Sequence, residues 1–275
     1  MQRVTKGIPA TLNLHCDIPP VSGTLTVTRD RDAVIILNSV AVTVGTDHVS
    51  RALPAQPDEA NLTATWTIAR ADGTATISEP VEVVTQRACS VDDCRRLKPM
   101  DDSNRYPDAV IESAISQLES EMETAAGVSF TGRESVVTVD GNNHVDLFLP
   151  VGRPRTVRSI LIDDVPMTAD QLAGVKVDER QGVLYRSVTW PQGRLNIKCT
   201  VTAGLPSVPG LLPSAMAKAV RYLVVDSPAS DRAISVTNED GTTQSLVVSG
   251  VRGALFSIPE LNVIVSEHRQ QFGLA

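Results

Sequence analysis

Side chains that could perform catalysis are few in this sequence, and they are scattered. No histidine belongs to an H-E-x-x-H pattern, and paired aspartates occur only at 92–93, 101–102 and 163–164. Adjacent carboxylates in a linker or a turn do not face each other across a substrate, as glycoside hydrolysis requires. The sequence has no glycine-rich phosphate loop and no G-x-S-x-G elbow. We therefore predict a protein that is not an enzyme. The four histidines, each interpreted as structural, are His15, His48, His144 and His268.

The cysteines do not predict a metal or cofactor site either. Cys16 and Cys199 fall within apolar strand patterns, where a thiol behaves as a small hydrophobic group. Cys89 and Cys94 are separated by four residues and have no second pair nearby. A zinc site needs more ligands at tighter spacing. We expect no metal, no cofactor and no structural disulfide.

Composition excludes several classes of binding protein. The formal net charge is -7, whereas proteins that grip duplex DNA usually carry a basic stripe that neutralises phosphates. Aromatic residues make up only 3%, which disfavours a base-stacking platform. No apolar run is long enough for a membrane span, and the first residues lack a signal-peptide core. We expect a soluble chain made in a cytoplasm.

Residues 1–86 are predicted to form an all-β domain. Leu62, Ala64, Trp66 and Ile68 alternate with threonines, and this period of two places one face of a strand in a core. The turn at 71–73 leads into a partner strand. Several short strands of this kind favour a β-sandwich. The region resembles an immunoglobulin-like domain, although it lacks the paired cysteines of antibody domains.

Residues 87–106 are charged and aperiodic, and we interpret them as a linker before an α+β domain at 107–275. Pro107 and Gly127 suit the two ends of a helix whose opposite face carries Glu119 and Glu123. A small antiparallel sheet follows, with predicted hairpin turns at 140–143 and 163–164. Further helices are expected from Pro213 to about Val225 and from near Pro259.

The segment between the last two helices, 227–257, is the least explained part of the sequence. It is rich in Ser, Thr, Gly and Asp and contains a hairpin pattern around residues 238–242. An isolated hairpin is marginal in water, and connections of this length are usually functional or disordered. We interpret it as an arm that orders against a partner, with a mobile surface loop as the alternative. The docking residues predicted in this arm are Ile234, Val236, Leu246, Val247, Val248, Val251, Arg252 and Phe256.

Three arginines, Arg153, Arg155 and Arg158, cluster after the strand that ends at Leu149-Pro150. They are candidates for contacts with DNA phosphates in a channel or with an acidic partner surface. The alternative is a solvated loop rim, because three charges without an aromatic companion are a weak signal.

From about Tyr106 onward, the order and spacing of features resemble the head-to-tail connector family of long-tailed bacteriophages. This family forms the adaptor ring beneath the portal. The resemblance covers about three fifths of the chain. The segments that carry it are Tyr106–Ile115, Ala126–Phe130, Leu147–Pro150, Val157–Ile160, Gly182–Tyr185, Trp190–Gly193, Thr202–Gly204, Asp231–Val236, Gly250–Gly253 and Ile258–Glu260.

The resemblance implies a structural virion protein of the neck, assembled in the host cytoplasm. It implies a homo-oligomeric ring, commonly of twelve subunits, that docks on the portal protein through the C-terminal region. The ring continues the DNA channel, through which the genome passes without sequence-specific binding, and it receives a stopper or the tail. An acidic balance suits a channel in which DNA must slide.

Three alternatives stay open. The chain could be another neck component, such as a stopper or a tail terminator. It could be a surface protein that binds a host through its β-domain, although scarce aromatic residues count against a sugar platform. An enzyme with a divergent metal site built from scattered aspartates is the third.

Overall fold

The computed structural model describes residues 2–225, 235–237, 243–245, 256 and 258–269. Within these residues the strands are β1 Gln2–Thr5, β2 Ala10–His15, β3 Pro20–Arg29, β4 Val34–Ala41, β5 Thr43–Val44, β6 His48–Leu53, β7 Ala60–Arg70, β8 Gly73–Val84, β9 Arg133–Gly141, β10 Asp146–Phe148, β11 Pro154–Ile162, β12 Val165–Pro166, β13 Lys176–Asp178, β14 Val183–Tyr185, β15 Gly193–Ala203, β16 Ser235–Thr237 and β17 Thr243–Ser245. The helices are α1 Val91–Arg95, α2 Asp108–Ala126, α3 Ala169–Ala173, α4 Leu212–Val224 and α5 Pro259–His268.

The chain divides into two compact units, each built from two separate stretches. The first, here called the β unit, comprises 1–87 and 131–204, and the second, the helical unit, comprises 88–130 and 205–275. This division cuts across the predicted domains, because 131–204 groups with the N-terminal residues. The expectation of a β-rich fold with several sheets and a few helices is confirmed.

The N-terminal part of the β unit contains two sheets around one core. A five-stranded sheet has the order β1-β8-β7-β3-β4, and a three-stranded sheet has the order β2-β6-β5. The alternation predicted from residue 62 to 68 is confirmed in β7, where the apolar positions are buried and Trp66 is fully enclosed. Because β1 pairs with β8 in parallel, the larger sheet is mixed. The immunoglobulin-like assignment stays a prediction.

The second part of the β unit also has two sheets, ordered β12-β11-β15-β9 and β10-β14-β13. The turn predicted at 163–164 is confirmed: Ile162 pairs with Val165, and both aspartates have positive φ, as a tight hairpin turn requires. The hairpin predicted around 140–143 is wrong. β9 pairs with β15 and β10 pairs with β14, so the chain changes sheets at this point.

Gly141 lies at that change of sheets, at the end of β9. Its N–H donates to Asn196 Oδ1 at 2.9 Å. A β-carbon added here would lie 1.7 Å from the carbonyl oxygen of Pro191. Only glycine allows the two backbones to approach this closely.

The helical unit packs α1, α2, α4 and α5 around one apolar core. Helix α2 follows the prediction closely and ends at Gly127, whose φ of 67° is left-handed. The segment predicted as a linker contributes to this core, since Cys89, Cys94 and Met100 are buried in it. The apolar residues of this segment are few and lie among charged ones, so the sequence shows no periodic pattern there. Among the described residues, no helix has both the length and the apolar character needed to cross a bilayer.

Candidate functional site

Arg158, one of the three arginines predicted to contact DNA or a partner, is engaged inside the β unit. Its Nη2 lies 2.7 Å from Glu59 Oε2, and its Nη1 lies 3.3 Å from Asp58 Oδ1. Its Nε also donates to Thr202 Oγ1 at 3.2 Å. An external contact by Arg158 stays a prediction, and it would have to compete with these bonds.

Arg153 and Arg155 are placed differently from Arg158. Both are half-buried, and within the described residues neither side chain forms an ion pair. Arg153 has a positive φ of 53°, and its carbonyl accepts a hydrogen bond from the Gly204 amide at 3.1 Å. A contact of Arg153 or Arg155 with DNA or with a partner stays a prediction.

Glu59 is the centre of the charge network around Arg158. Its buried carboxylate also accepts from Lys6 Nζ at 2.7 Å and from the Thr85 hydroxyl at 2.9 Å. Burial alone would raise the pKa of Glu59. The bonds from Lys6 and Thr85 outweigh that effect and lower the pKa to about 2. The carboxylate is therefore charged at every pH at which the protein is normally handled.

A second set of ion pairs joins the two β-sheet regions of the same unit. The Glu134 carboxylate on β9 is buried and lies 2.8 Å from Arg31 Nη1, and it also accepts from the Asn61 amide at 3.3 Å. Glu82 on β8 contacts Arg3 at 2.9 Å and Arg133 at 3.8 Å. We call these two sets of ion pairs together the charged seam. Its members are Arg3, Lys6, Arg31, Glu59, Glu82, Arg133, Glu134 and Arg158. Its geometry fits a structural bond between sheets, because its carboxylates are already occupied by cations.

Two histidines that the sequence separated are cross-strand partners. His15 on β2 pairs with His48 on β6, and Asp47 lies 2.9 Å from His48 Nδ1 and 3.8 Å from His15 Nδ1. All three side chains are exposed. Within the described part of the chain, no group of three or more His, Cys, Asp or Glu residues could hold a metal ion.

The other residues considered for chemistry are accounted for by local structure. His144 accepts a backbone bond from the Trp190 amide, and His268 Nδ1 lies 3.0 Å from the Ile264 carbonyl. Asp93 completes a capping box with Ser90 at the start of α1. Asp102 accepts bonds from the amides of the two residues at 104 and 105. For His268, Asp93 and Asp102 these bonds give the side chain a structural role, whereas the His144 bond is made by its backbone carbonyl.

Two buried glutamates in the helical unit were missed by the sequence analysis, which had placed them on the polar face of α2. Glu119 is 3% exposed and accepts from the Ala88 amide, and Glu123 is 8% exposed and accepts from the Ser129 hydroxyl at 2.7 Å. They line a pocket with Phe130 that has no room for a water molecule. They pair with polar groups where the chain enters the helical unit, at Ala88, and where it leaves α2, at Ser129. An acidic residue on a helix face gives no sequence signal of such a role.

Most of the predicted docking residues lie outside the described residues, namely Ile234, Leu246, Val247, Val248, Val251 and Arg252. Val236 lies in β16, which pairs with β17 in antiparallel register. Phe256 is 7% exposed and belongs to the core of the helical unit, and its part in docking stays a prediction. Asn262 holds it there through bonds to the Phe256 amide and carbonyl, at 2.9 and 2.7 Å.

The helical unit presents exposed apolar side chains just before the predicted arm in the sequence. Tyr222 and Leu223, in the last turn of α4, are 64% and 52% exposed. Scattered apolar residues are common on protein surfaces, but tyrosine is enriched in protein interfaces, and Leu223 adds exposed apolar surface beside it. This pair is the best candidate for a partner-binding surface in the described part of the helical unit.

No protein-family model and no curated protein matches the chain. Among solved structures, one similar chain belongs to the neck of an empty GTA particle computed with C6 symmetry. It has 20% identity and a TM-score of 0.38, and the match covers 52% of this chain and 82% of that chain. Another is CopC from Methylosinus trichosporium OB3b, with 8% identity, a TM-score of 0.26 and coverage of 30% and 81%. Both likenesses are weak.

Proposed function

We propose that this chain is a structural head-to-tail adaptor of a tailed phage. In this proposal copies of the chain form a ring, commonly of twelve, that docks on the portal protein. The ring continues the DNA channel and receives the stopper or the tail on its other side. The protein would be part of the virion neck and would be assembled in the host cytoplasm.

The observation that carries the proposal is the exposed Tyr222–Leu223 pair, at the end of α4 and next to the predicted docking arm. The connector resemblance assigns portal docking to this C-terminal region. Burying the two side chains on a partner would contribute about 2 kcal/mol for each fully covered residue. The pair and the arm together would give the helical unit a docking surface.

The arrangement of charge supports a channel through which DNA slides. The charged seam uses most of its arginines internally, and only Arg153 and Arg155 of the predicted cluster lack an ion pair within the described residues. The formal net charge of -7 on each chain would oppose tight duplex binding, so contacts with passing DNA would be weak and easily reversed by salt.

The direct test is to measure the mass of the purified chain alone and after mixing with the portal protein of the same virus. Native mass spectrometry is expected to show a monomer alone and a ring in the presence of portal. If the mass of the chain is the same with and without portal, the proposal is contradicted. If it binds a tail protein instead, it is a stopper or a tail terminator.

Variants locate the docking surface. The double variant Tyr222→Ser/Leu223→Ser should fold normally and lose at least about tenfold in portal affinity, because two apolar contacts are removed. Val110→Ser, at an exposed position of α2 in the same unit, is the matched control and should bind as the unchanged chain does. Deletion of 227–253 should also abolish docking while the fold is retained. If that deletion unfolds the chain, the segment is part of the core and the arm is rejected.

A further inference from the structure

The two cysteines near the start of the helical unit lie in thiol–thiol contact. Cys89 and Cys94 are 2% and 0% exposed, and their Sγ atoms are 3.7 Å apart. Both are present as thiols. Neither has a place in the proposed docking function.

Helix capping explains why five positions of separation bring these thiols together. Ser90 is the N-cap of α1, and it forms a reciprocal capping box with Asp93. The residue before an N-cap and the fourth residue of the helix often pack together as a hydrophobic staple. Cys89 and Cys94 occupy those two positions. The staple of α1 is therefore made of two groups that can also form a covalent bond.

We propose that Cys89 and Cys94 form a reversible redox couple, in which oxidation converts the staple of α1 from a packing contact into an intrachain disulfide. The thiols need to approach by less than 2 Å to reach bonding distance, which rotation of the side chains can supply. This inference does not depend on the adaptor function.

The order of steps follows from the hydrogen bond between the thiols. The contact between the two sulfur atoms lowers the pKa of Cys94 and, together with burial, raises the pKa of Cys89. Cys94 therefore loses its proton first and, when local opening of α1 exposes it, attacks a low-molecular-weight disulfide such as oxidised glutathione. One glutathione thiolate leaves and takes up that proton. Cys89 then attacks the mixed disulfide at Cys94 Sγ, and its proton goes to the second departing glutathione.

The disulfide would fix a segment that other bonds already attach to the core. The Arg95 guanidinium donates to the carbonyls of Met100 and Tyr106 and contacts Asp108 at the start of α2. Closing the staple would hold α1 in the conformation that these contacts need. Reduction would leave the same contacts dependent on packing alone.

Trypsin makes the couple directly measurable, because it cuts after Arg87 and Arg95 and releases both cysteines in one peptide, 88–95. The full-length native chain is equilibrated with glutathione at a series of oxidised-to-reduced ratios. It is then quenched in acid, alkylated in denaturant and digested. The peptide should carry two alkyl groups in reducing buffer and none in oxidising buffer, where it should be two hydrogens lighter than the dithiol. Cys16 and Cys199, which are buried and have no thiol partner in the described residues, should stay alkylated throughout.

A pair of variants tests the staple geometry. Asp93→Ala removes the capping box and should require a roughly fivefold higher ratio of oxidised glutathione for half-conversion. Asp92→Ala, at an exposed neighbouring position, should match the unchanged chain. Hydrogen exchange of residues 88–100 should slow on oxidation.

The proposal is overturned if the native peptide stays fully alkylated at every ratio or carries only glutathione adducts. It is also overturned if the bond forms only in denatured chain, or joins two chains. Each of these results would make the pair a packing staple without redox chemistry.

Discussion

Arg158 and Glu59 form an ion pair of 2.7 Å across 99 positions of sequence. The two residues belong to different sheet regions of the β unit, and the Thr85 hydroxyl and Lys6 complete the environment of the same carboxylate. The pair therefore links the N-terminal sheets to the sheet of β11. Its stability consequences can be measured selectively, since both tryptophans, Trp66 and Trp190, are buried in this unit and report its unfolding.

Replacing Arg158 with methionine should lower the free energy of unfolding of the β unit by about 2–3 kcal/mol, because Glu59 loses a charged donor while staying buried. Denaturant unfolding followed by tryptophan fluorescence measures this loss. Arg31→Met should behave similarly, since it leaves the buried Glu134 carboxylate without its cation. The Arg29 pair with Asp32, whose carboxylate is exposed rather than buried, serves as the control, and Arg29→Met should cost less than about 1 kcal/mol. If all three variants lost the same free energy of unfolding, the buried ion pairs of the seam would stabilise the unit no more than a surface pair does.

The stability of the β unit should depend on the ionisation of Glu59. Its folded pKa of about 2 lies below the ordinary value of 4.5, so its contribution is complete above the ordinary pKa and disappears as the pH falls toward 2. Glu59→Gln should thus be less stable than the unchanged chain by about 3 kcal/mol at neutral pH, with the difference shrinking below about pH 4. Urea midpoints across this range measure it. A difference that persists unchanged in acid would assign the effect to packing.

Gly141→Ala should destabilise the β unit by at least about 2 kcal/mol or prevent folding, because the new methyl group would overlap the Pro191 carbonyl. Gly174→Ala is the matched control. Gly174 has right-handed backbone angles and meets only ordinary contacts, so its change should stay within about 0.5 kcal/mol. Fluorescence-detected unfolding measures the stability of both variants. Similar values would show that the backbone at 141 can move away from the Pro191 carbonyl.

Phe256→Ala should destabilise the helical unit by about 3 kcal/mol, since a buried phenylalanine is lost from its core. The helical circular dichroism signal follows this unit, which contains the longer helices. Val263→Ala, at an exposed position of α5, should have almost no effect. If Phe256→Ala leaves unfolding unchanged and removes only portal binding, Phe256 belongs to the docking arm as the sequence predicted.

The sequence was sufficient for elements whose signal is local. The alternation around Trp66, the proline and glycine that bound α2, and the aspartates of the 163–164 turn each predicted a structure that was found. In each case the determining interaction spans a few residues. A period, a cap or a turn can therefore be recognised without knowing the rest of the fold.

Interactions between distant residues could not be predicted in the same way. Arg158 was interpreted as a surface charge because nothing in its neighbourhood indicated Glu59, and Glu119 was placed on a solvated face because its partner is a backbone amide. The hairpin at 140–143 failed for a related reason. Its turn residues suit a tight turn, yet β9 pairs with β15 and β10 pairs with β14, both of which lie far along the sequence.

The charged seam also limits how this gene could be rearranged. A fusion that carried residues 1–87 to another protein would export Glu59 and Glu82 without Arg158 and Arg133, which are encoded far downstream. Glu59 would keep Lys6 and Glu82 would keep Arg3, but each carboxylate would lose its second cation, and Arg31 would lose Glu134. The N-terminal sheets and the 131–204 sheets are thus expected to be inherited and exchanged together, as one unit of recombination.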